Sequence, residues 1–194
     1  MNSKSKSLLA LVLAITLIFT ACSAQWINVA LQDLPVLTQM ALNIAALVSS
    51  MASGKQANPA DLAVIQNISA QASRDLNLLQ SLYADYKANP SATTLQKIEN
   101  VIADLNQNLP ALLQSAHISN SILAARTTAA VNLIITTVNS FAALMPQSTA
   151  ATSQKAKTAT PPSAKDLKMQ WNQQICAASG NAAFDAALVG CPIH

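Results

Sequence analysis

The spacing of apolar residues along the first half of the chain is the feature that most constrains its fold. Over residues 27–51 the apolar positions are separated alternately by three and four residues, which is the 3.5-residue repeat of a helix packed along one face. We therefore predict a helix over this segment, which Ser53 and Gly54 end. Its apolar positions are Ile27, Ala30, Leu34, Leu37, Ala41, Ile44, Val48 and Met51.

The composition also favours helices. The 194 residues include 37 Ala but only three Gly, and Ala has the highest intrinsic helix propensity. Three glycines are too few for a Gly-rich phosphate loop, a collagen repeat or a turn-dense β-sandwich. A chain with 52% hydrophobic and 10% charged residues also lacks the signature of a disordered acidic or basic tail. The predicted class is all-α.

Three further helical segments follow the first. Asn58-Pro59 and Asn89-Pro90 each place an N-cap residue before a proline at the first helical position, so we predict that they open the second and third helices. The fourth segment covers about residues 119–145 and is apolar on more than one face. The apolar positions of the second segment are Leu62, Ile65, Ala72, Leu76, Leu79, Tyr83 and Tyr86. Those of the third are Leu95, Ile98, Ile102, Leu105, Leu109, Leu112 and Ala116. Those of the fourth are Ile122, Leu123, Val131, Leu133, Ile134, Ile135, Val138, Phe141 and Leu144, and we call each of these three sets an apolar stripe.

Short connections make consecutive helices antiparallel. The sequence therefore predicts an antiparallel four-helix bundle, up-down-up-down, over residues 22–146. Two prolines fall within the predicted helices, and each removes a backbone hydrogen bond. We expect a kink or a helix restart at both, with Asp33 capping the restart at Pro35 and Asn108 the one at Pro110.

The N-terminus has the three parts of a secretory signal peptide. Lys4 and Lys6 form a basic start, residues 8–19 are apolar, and small residues follow. At ~1.5 Å per residue the apolar run spans roughly 18 Å, whereas a hydrocarbon core of ~30 Å needs about 20 residues. We therefore predict a cleaved signal over residues 1–21 rather than a permanent membrane span.

Residues 19–22, Phe-Thr-Ala-Cys, resemble the lipobox of bacterial lipoproteins, with Phe19 in place of the usual Leu. The resemblance covers this segment alone. It implies cleavage before Cys22, a diacylglyceryl group on the Cys22 thiol and acylation of its amine. It also implies a protein of the cell envelope that is lipid-anchored to a membrane, and Ser23 is compatible with passage to the outer membrane. The alternative is ordinary cleavage after Ser23 or Ala24, which would give a secreted soluble protein.

Removal of the signal changes the charge balance. Loss of Lys4 and Lys6 leaves 9 basic and 8 acidic residues, a net charge of +1 instead of +3. The remaining Lys and Arg residues are few and scattered, so we predict no nucleic-acid partner.

The C-terminal part is predicted to consist of a linker and a helical hairpin, and the sequence leaves open whether the hairpin docks on the bundle. Residues 147–163 contain no large apolar residue and end near a Pro-Pro pair, so they are interpreted as a flexible linker. Residues 164–194 are predicted to form a helical hairpin, with helices over 164–178 and 182–189 and a turn at 179–181. The helix over 182–189 is expected to end at Gly190.

Cys176 and Cys191 remain as a pair once Cys22 is acylated or lost. In an oxidising compartment this favours a disulfide. A closed loop of about 15 residues contributes roughly 3 kcal/mol in the chain-entropy model. Free thiols are the alternative. A metal site is disfavoured because His117 and His194 are the only histidines available to complete a tetrahedral set.

The sequence contains no recognisable catalytic set. Glu99 is the only glutamate, which excludes a carboxylate-bridged di-metal centre, and no His-Glu-x-x-His or Gly-x-Ser-x-Gly motif occurs. His117 is interpreted as a capping or surface group. Asp75 and Asp85 are interpreted as part of a solvated face. Tyr83 and Tyr86 are expected at the edge of the core.

These observations predict a non-enzymatic, lipid-anchored envelope protein whose bundle acts as a protein-interaction or structural module, with no cofactor. The alternative is a carrier or sensor that binds a small apolar ligand between the helices. A third hypothesis is a membrane-perturbing protein that inserts its fourth helix, although polar residues such as Asn132 and Asn139 interrupt that segment.

Overall fold

The computed structural model describes residues 26–50, 58–145 and 161–194 of the chain. Every regular element within these ranges is a helix, and none of the described residues forms a strand. The part of the chain that the structure describes is therefore all-α, as the composition predicts. The six helices of the described ranges are α1 (Trp26–Ser50), α2 (Pro59–Ala88), α3 (Ala92–Ser115), α4 (Ser121–Ala142), α5 (Ala164–Gln174) and α6 (Ala182–Ala186).

The 3.5-residue repeat correctly identifies the buried face of α1. The seven predicted positions from Ile27 to Val48 are all buried, and Met51 lies outside the described residues. The predicted stripes of α2, α3 and α4 are also mostly buried. The members that are only half-buried are Leu62, Tyr86, Leu112, Ala116, Ile122, Ile135 and Leu144.

The start of α2 is confirmed. Asn58 is the N-cap, and its side-chain oxygen accepts a hydrogen bond of 2.8 Å from the backbone N–H of Asp61. Pro59 is the first helical residue, where its missing N–H costs nothing because no acceptor would face it.

The predicted start of α3 at Asn89 is wrong. Asn89 instead ends α2, where its N–H donates to the carbonyl of Asp85. The N-cap of α3 is Ser91, whose hydroxyl accepts from the backbone N–H of Thr94 at 3.1 Å. The residue before a proline is pushed towards extended backbone, so Asn89 stops one helix and the next begins after Pro90.

The helices are continuous through both internal prolines. α1 includes Pro35 and α3 includes Pro110, so the predicted restarts capped by Asp33 and Asn108 are wrong. A proline removes one hydrogen bond from a helix, and buried neighbours on the same helix, such as Leu109 beside Pro110, provide the packing that offsets this loss.

The other boundaries differ from prediction by a few residues. α4 begins after the N-cap Asn120 and ends at Ala142, inside the predicted 119–145. α5 ends at Gln174 rather than residue 178 because the carbonyls that follow it bond to a side chain of α4, as described below. α6 ends at Ala186, well before Gly190, since residues 187–190 turn the chain back towards α5.

Specific contacts join the first four helices. The Ser69 hydroxyl on α2 donates to the carbonyl of Ala41 on α1 at 2.6 Å. α2 packs on α3 and α3 on α4. The last pair also shares a reciprocal amide bond, because Asn106 and Asn139 each donate to the other at 2.8 and 2.9 Å.

The C-terminal tail, defined here as residues 161–194, docks on these helices. α5 packs against α4, and the apolar side chains of the tail belong to the same buried cluster as those of α1–α4. The predicted disulfide between Cys176 and Cys191 is confirmed. The tail side chains in the core are Leu167, Trp171, Ile175, Phe184, Leu188 and Cys191.

Candidate functional site

Two charged side chains mark the place where the tail meets the helices. Asp33 is the only charged residue of α1, and Arg126 is the only one of α4. Both are buried, with exposed fractions of 2% and 8%. Each faces a different end of α5. The tail is therefore held where two otherwise uncharged helices each supply one ionisable group.

Asp33 lies at the N-terminal end of α5. The backbone N–H of Ala164, the first residue of that helix, is hydrogen-bonded to its carboxyl group. The Oδ2 atom is buried and has no hydrogen-bond partner in the described part of the chain. Burial raises the pKa of Asp33 to about 6. The Ala164 N–H opposes this rise, and the negative charge of Asp166 adds to it.

Arg126 lies at the other end of α5. Its guanidinium donates to the carbonyls of Ile175 and Ala177, which follow the last turn of the helix. The same group lies 5.4 Å from the ring centroid of Phe184, within the range of a cation–π contact. Burial lowers the pKa of Arg126, and the charge of Asp185 raises it.

The signs of these charges match the dipole of α5. Its N-terminus carries partial positive charge and its C-terminus partial negative charge. A carboxyl group from α1 faces the first end, and a guanidinium from α4 the second. Asp33 and Arg126 thus serve as capping groups supplied from outside the helix, and they fix the position of α5 across α1 and α4.

An open groove of about 410 Å³ lies beside Arg126, between the start of α4 and the turn that follows α5. Most of its side chains are polar or small. Arg126 forms part of the wall, but two of its nitrogens already bond to carbonyls of the tail. The lining residues are Ser121, Ile122, Ala125, Arg126, Gln174 and Ser179.

Polar contacts within the tail make it a defined unit. The Trp171 indole N–H donates to the carbonyl of Cys191 at 3.0 Å. Asp185 accepts from the N–H and the hydroxyl of Ser179, both at 2.7 Å, and from the N–H of Gly180. These bonds lower the pKa of Asp185. Gly180 has a φ of +81°, which favours glycine at this turn.

A second buried carboxylate lies at one end of the body, defined here as α1–α4, at the end where α2 begins. Asp61 is 2% exposed and accepts from the N–H and the hydroxyl of Ser119, at 3.0 and 2.7 Å. Burial alone would raise the pKa of Asp61, but these bonds and those from Asn120 and Asn58 outweigh it and lower the pKa. Asp61 therefore ties the connection between α3 and α4 to α2.

The opposite end contains an aromatic cluster. The Trp26 ring packs edge-on against Tyr83, with 5.4 Å between ring centroids, and at a tilt of 45° against Tyr86, with 6.1 Å between centroids. The Tyr83 hydroxyl lies 3.8 Å from the sulfur of Met145. Tyr86 is half-buried, which confirms its expected place at the edge of the core, whereas Tyr83 is fully buried inside the core.

The remaining sequence candidates are not brought together into a catalytic site. His117 is exposed, and its Nδ1 lies 3.0 Å from the carbonyl of Ser115, as expected for a surface group. Asp75 accepts from the Gln71 amide on the same helix. Among the described residues, no group of three or more His, Cys, Asp or Glu side chains could hold a metal ion. Cys22 and the predicted signal lie outside the described residues.

Two helices, α1 and α4, are long and apolar enough to cross a membrane by length and composition. About half of the most apolar part of each is buried within the protein, 44% for α1 and 50% for α4. A buried core helix of a soluble protein meets the same criterion, so this property alone does not place either helix in a membrane.

The sequence analysis missed Asp33 and Arg126 as the groups that hold the tail. A signal for them exists, because each is the only charge in a helix of more than 20 residues. Comparison with protein-family models, with curated proteins and with solved structures finds no match to this chain.

Proposed function

We propose that the chain is a non-enzymatic, lipid-anchored protein of the cell envelope, whose helical body acts as a protein-interaction or structural module. The observation that carries the proposal is the Phe-Thr-Ala-Cys segment at residues 19–22 after a basic and apolar leader. In the chemistry this segment resembles, Cys22 receives acyl chains. Each buried CH₂ contributes about 0.8 kcal/mol, and two or more chains give stable anchoring.

The proposed anchor is close to the folded body. Three residues lie between Cys22 and Trp26, and the four steps from one Cα atom to the other reach about 14 Å at most in an extended chain. The end of the body that holds Trp26, Tyr83 and Tyr86 would therefore lie next to the membrane. Tyr86, which is half-buried, is the member of the cluster available to the interfacial region that Trp and Tyr favour.

We further propose that α1–α4 form an up-down-up-down bundle. Contacts between residues far apart in sequence support this arrangement. Trp26 meets Tyr83 and Ala41 meets Ser69, so residue numbers rise along α1 as they fall along α2. Asp61 meets Ser119 at one end of α2, and Tyr83 meets Met145 at the other. Thus α2 and α4 would run in parallel, with α3 returning between them.

In this arrangement the membrane-distal end is polar. It carries Asn58, Asp61, His117 and Ser119, with His117 exposed. A protein partner in the envelope would meet this end or the sides of the body. The groove beside Arg126 is open to solvent, and four of its six lining side chains are polar, which supports the interaction module rather than an enclosed carrier site for apolar ligands.

The anchor is tested by expressing the full chain and its Cys22→Ala variant in a bacterium and separating membrane from soluble fractions. We expect the wild-type protein in the membrane fraction, with a diacylated or triacylated Cys22 in the mass spectrum of its N-terminal peptide. The Cys22→Ala variant should lose the acyl mass. Cys176→Ala is the matched control, because it removes a different cysteine and should leave the acyl mass unchanged.

An unacylated protein that is cleaved after Ser23 or Ala24 and found in the soluble fraction would contradict the anchor. The interaction role is tested separately, by placing a photo-crosslinking residue at His117 or at Lys87 in living cells. Crosslinks to a discrete protein from position 117 support the module. If neither position 117 nor position 87 gave a protein crosslink, the interaction role would be overturned.

A further inference from the structure

We propose that Asp33 makes the docking of the C-terminal tail dependent on pH, so that the N-terminal end of α5 loosens from α1 as Asp33 ionises. The device is built from three features of the fold. A lone carboxyl group is buried on α1, a helix end is placed against it, and a second carboxylate approaches from that helix. The proposal is independent of the lipid anchor and of any envelope partner.

The first step is the environment of Asp33 when the tail is docked. The side chain is 2% exposed, and its Oδ2 atom has no partner among the described residues. The N–H of Ala164 and the positive end of the α5 dipole favour the charged form, but the pKa of Asp33 is raised because burial outweighs both. A buried carboxylate with a single backbone donor and an unpaired oxygen is poorly compensated for its lost hydration.

The second step is the charge that faces Asp33 from each neighbouring helix. From α5, Asp166 faces it with like charge. Among the described residues, Asp166 is the charged group that acts on Asp33, and α2, which also contacts α1, adds none. The charged side chains of α2 are Asp61, Arg74, Asp75, Asp85 and Lys87.

Hydrogen bonds keep the Asp166 side chain in its charged form. It forms a capping box with Ser163, in which its carboxylate accepts from the Ser163 N–H and hydroxyl at 3.2 and 2.7 Å. These bonds lower the pKa of Asp166. It therefore stays charged under conditions where Asp33 gains or loses its proton, and the repulsion between the two depends on Asp33 alone.

The third step is the direction of the effect. The pKa of Asp33 is about 6 in the docked state, against an ordinary value of 3.8. The docked state thus binds the proton more tightly than a released state in which Asp33 meets water, so docking is strongest at low pH and weakens as pH rises towards 6. A difference of this size corresponds to an opening equilibrium that rises on the order of a hundredfold from about pH 4 to pH 6 and then levels off.

The other end of the tail does not share this dependence. The Arg126 guanidinium keeps its charge throughout this range, and it holds the carbonyls of Ile175 and Ala177. The Cys176–Cys191 disulfide keeps the tail folded on itself. Release would therefore begin at Ala164 and expose α5 from its N-terminal end, with Arg126 as the point that stays attached.

Native-state amide hydrogen exchange on the purified full chain tests this proposal. Exchange is measured from pH 4 to pH 7.5, with rates corrected for the pH dependence of intrinsic exchange. We expect the opening equilibrium of α5 peptides to rise steeply up to about pH 6, while peptides of α3 serve as the internal reference. Asp33→Asn keeps the shape of the side chain without its charge, and should abolish the rise.

Two further variants distinguish the role of Asp33 from general destabilisation. Asp104→Asn removes an exposed charge from α3 and should leave the rise in α5 exchange unchanged. Arg126→Gln should accelerate α5 exchange at every pH while keeping the rise. A wild-type profile that is flat between pH 4 and pH 6 would overturn the proposal, and so would an equal rise in Asp33→Asn.

Discussion

The body formed by α1–α4 and the C-terminal tail are stabilised in different ways. The body is held by rows of apolar side chains repeated along whole helices, so its stability is spread over many positions. The tail has two short helices of 11 and 5 residues, and it depends on a few specific groups. A disulfide closes it, Trp171 enters the core, and Asp33 and Arg126 hold the ends of α5.

The difference follows from size. A helix of five residues is too short to be stable alone in water, and one of 11 is marginal. A long helix can bury a continuous apolar face, but the tail can bury only a handful of side chains. The disulfide and the capping groups on α1 and α4 therefore provide the stability that the short helices of the tail cannot gain from their length. The contrast leads to the following predictions, in order of expected effect.

A deletion in the core of the body should unfold the whole protein more easily. Phe141 on α4 is fully buried, and replacing a buried Phe by Ala costs about 3–5 kcal/mol. Phe141→Ala should therefore lower the free energy of global unfolding by that amount in a denaturant titration. Val189→Ala is the control, because Val189 is 87% exposed and should change stability by less than about 0.5 kcal/mol. A loss in Phe141→Ala no larger than that of the control would contradict close packing around Phe141 in this core.

Removal of the disulfide should affect the tail and spare the body. The double change Cys176→Ser and Cys191→Ser reopens a loop with a sequence separation of 15, worth about 3 kcal/mol in the chain-entropy model. We expect faster amide exchange and new proteolytic cuts in residues 164–191, with α3 unchanged. If α3 lost protection to the same extent as α5, the tail and the body would be one cooperative unit, and the comparison would fail.

Loss of the external cap at the end of α5 should be weaker. Arg126→Gln removes charge-assisted hydrogen bonds, which contribute about 1.5–3 kcal/mol, and the contact with Phe184. The local stability of the tail should fall by that amount when measured by amide exchange. Arg74→Gln offers a matched control, since Arg74 is exposed and bonds to Gln71 of its own helix. Equal effects of the two changes would contradict a special role for Arg126.

The two buried aspartates should respond to pH with opposite signs. The pKa of Asp61 is lowered in the folded body, so its contribution is present above the ordinary value near 4 and is lost as pH falls further. Asp61→Asn should weaken this acid loss and cost about 1 kcal/mol at neutral pH. Thermal unfolding of the wild type and of Asp61→Asn as a function of pH measures this loss of stability in acid. Asp33, with its raised pKa, should instead weaken the tail as pH rises towards 6.

The body could be predicted from sequence because its stabilising signal repeats. The buried positions of α1 follow from spacing alone, and Asn58-Pro59 marks the start of α2 by a local rule. The same local rule gave a wrong prediction at a second position, where the preceding helix extends to the predicted cap. The Asn89-Pro90 pair has the same composition as Asn58-Pro59, yet Asn89 ends a helix because α2 already runs into it.

The tail could be predicted only in part. The disulfide follows from counting cysteines, but the docking of the tail depends on contacts between residues far apart in sequence. Arg126 is 49 residues from Ile175, and no local pattern relates them. The sequence does contain one signal, because Asp33 and Arg126 are each the single charged residue of an otherwise uncharged helix. A charge that is buried in such a helix requires a hydrogen-bonding partner.

The reciprocal amide pair between Asn106 and Asn139 has a further consequence for how α3 and α4 align. Apolar rows with a regular repeat tolerate sliding by one helical turn, about 5.4 Å, since each side chain then meets another of the same kind. The two amides do not tolerate it, because a slide would separate both donors from both acceptors. A polar pair of this kind selects one register among several of similar energy. The amide pair thus contributes more to the selection of a single folded arrangement than to the free energy of unfolding.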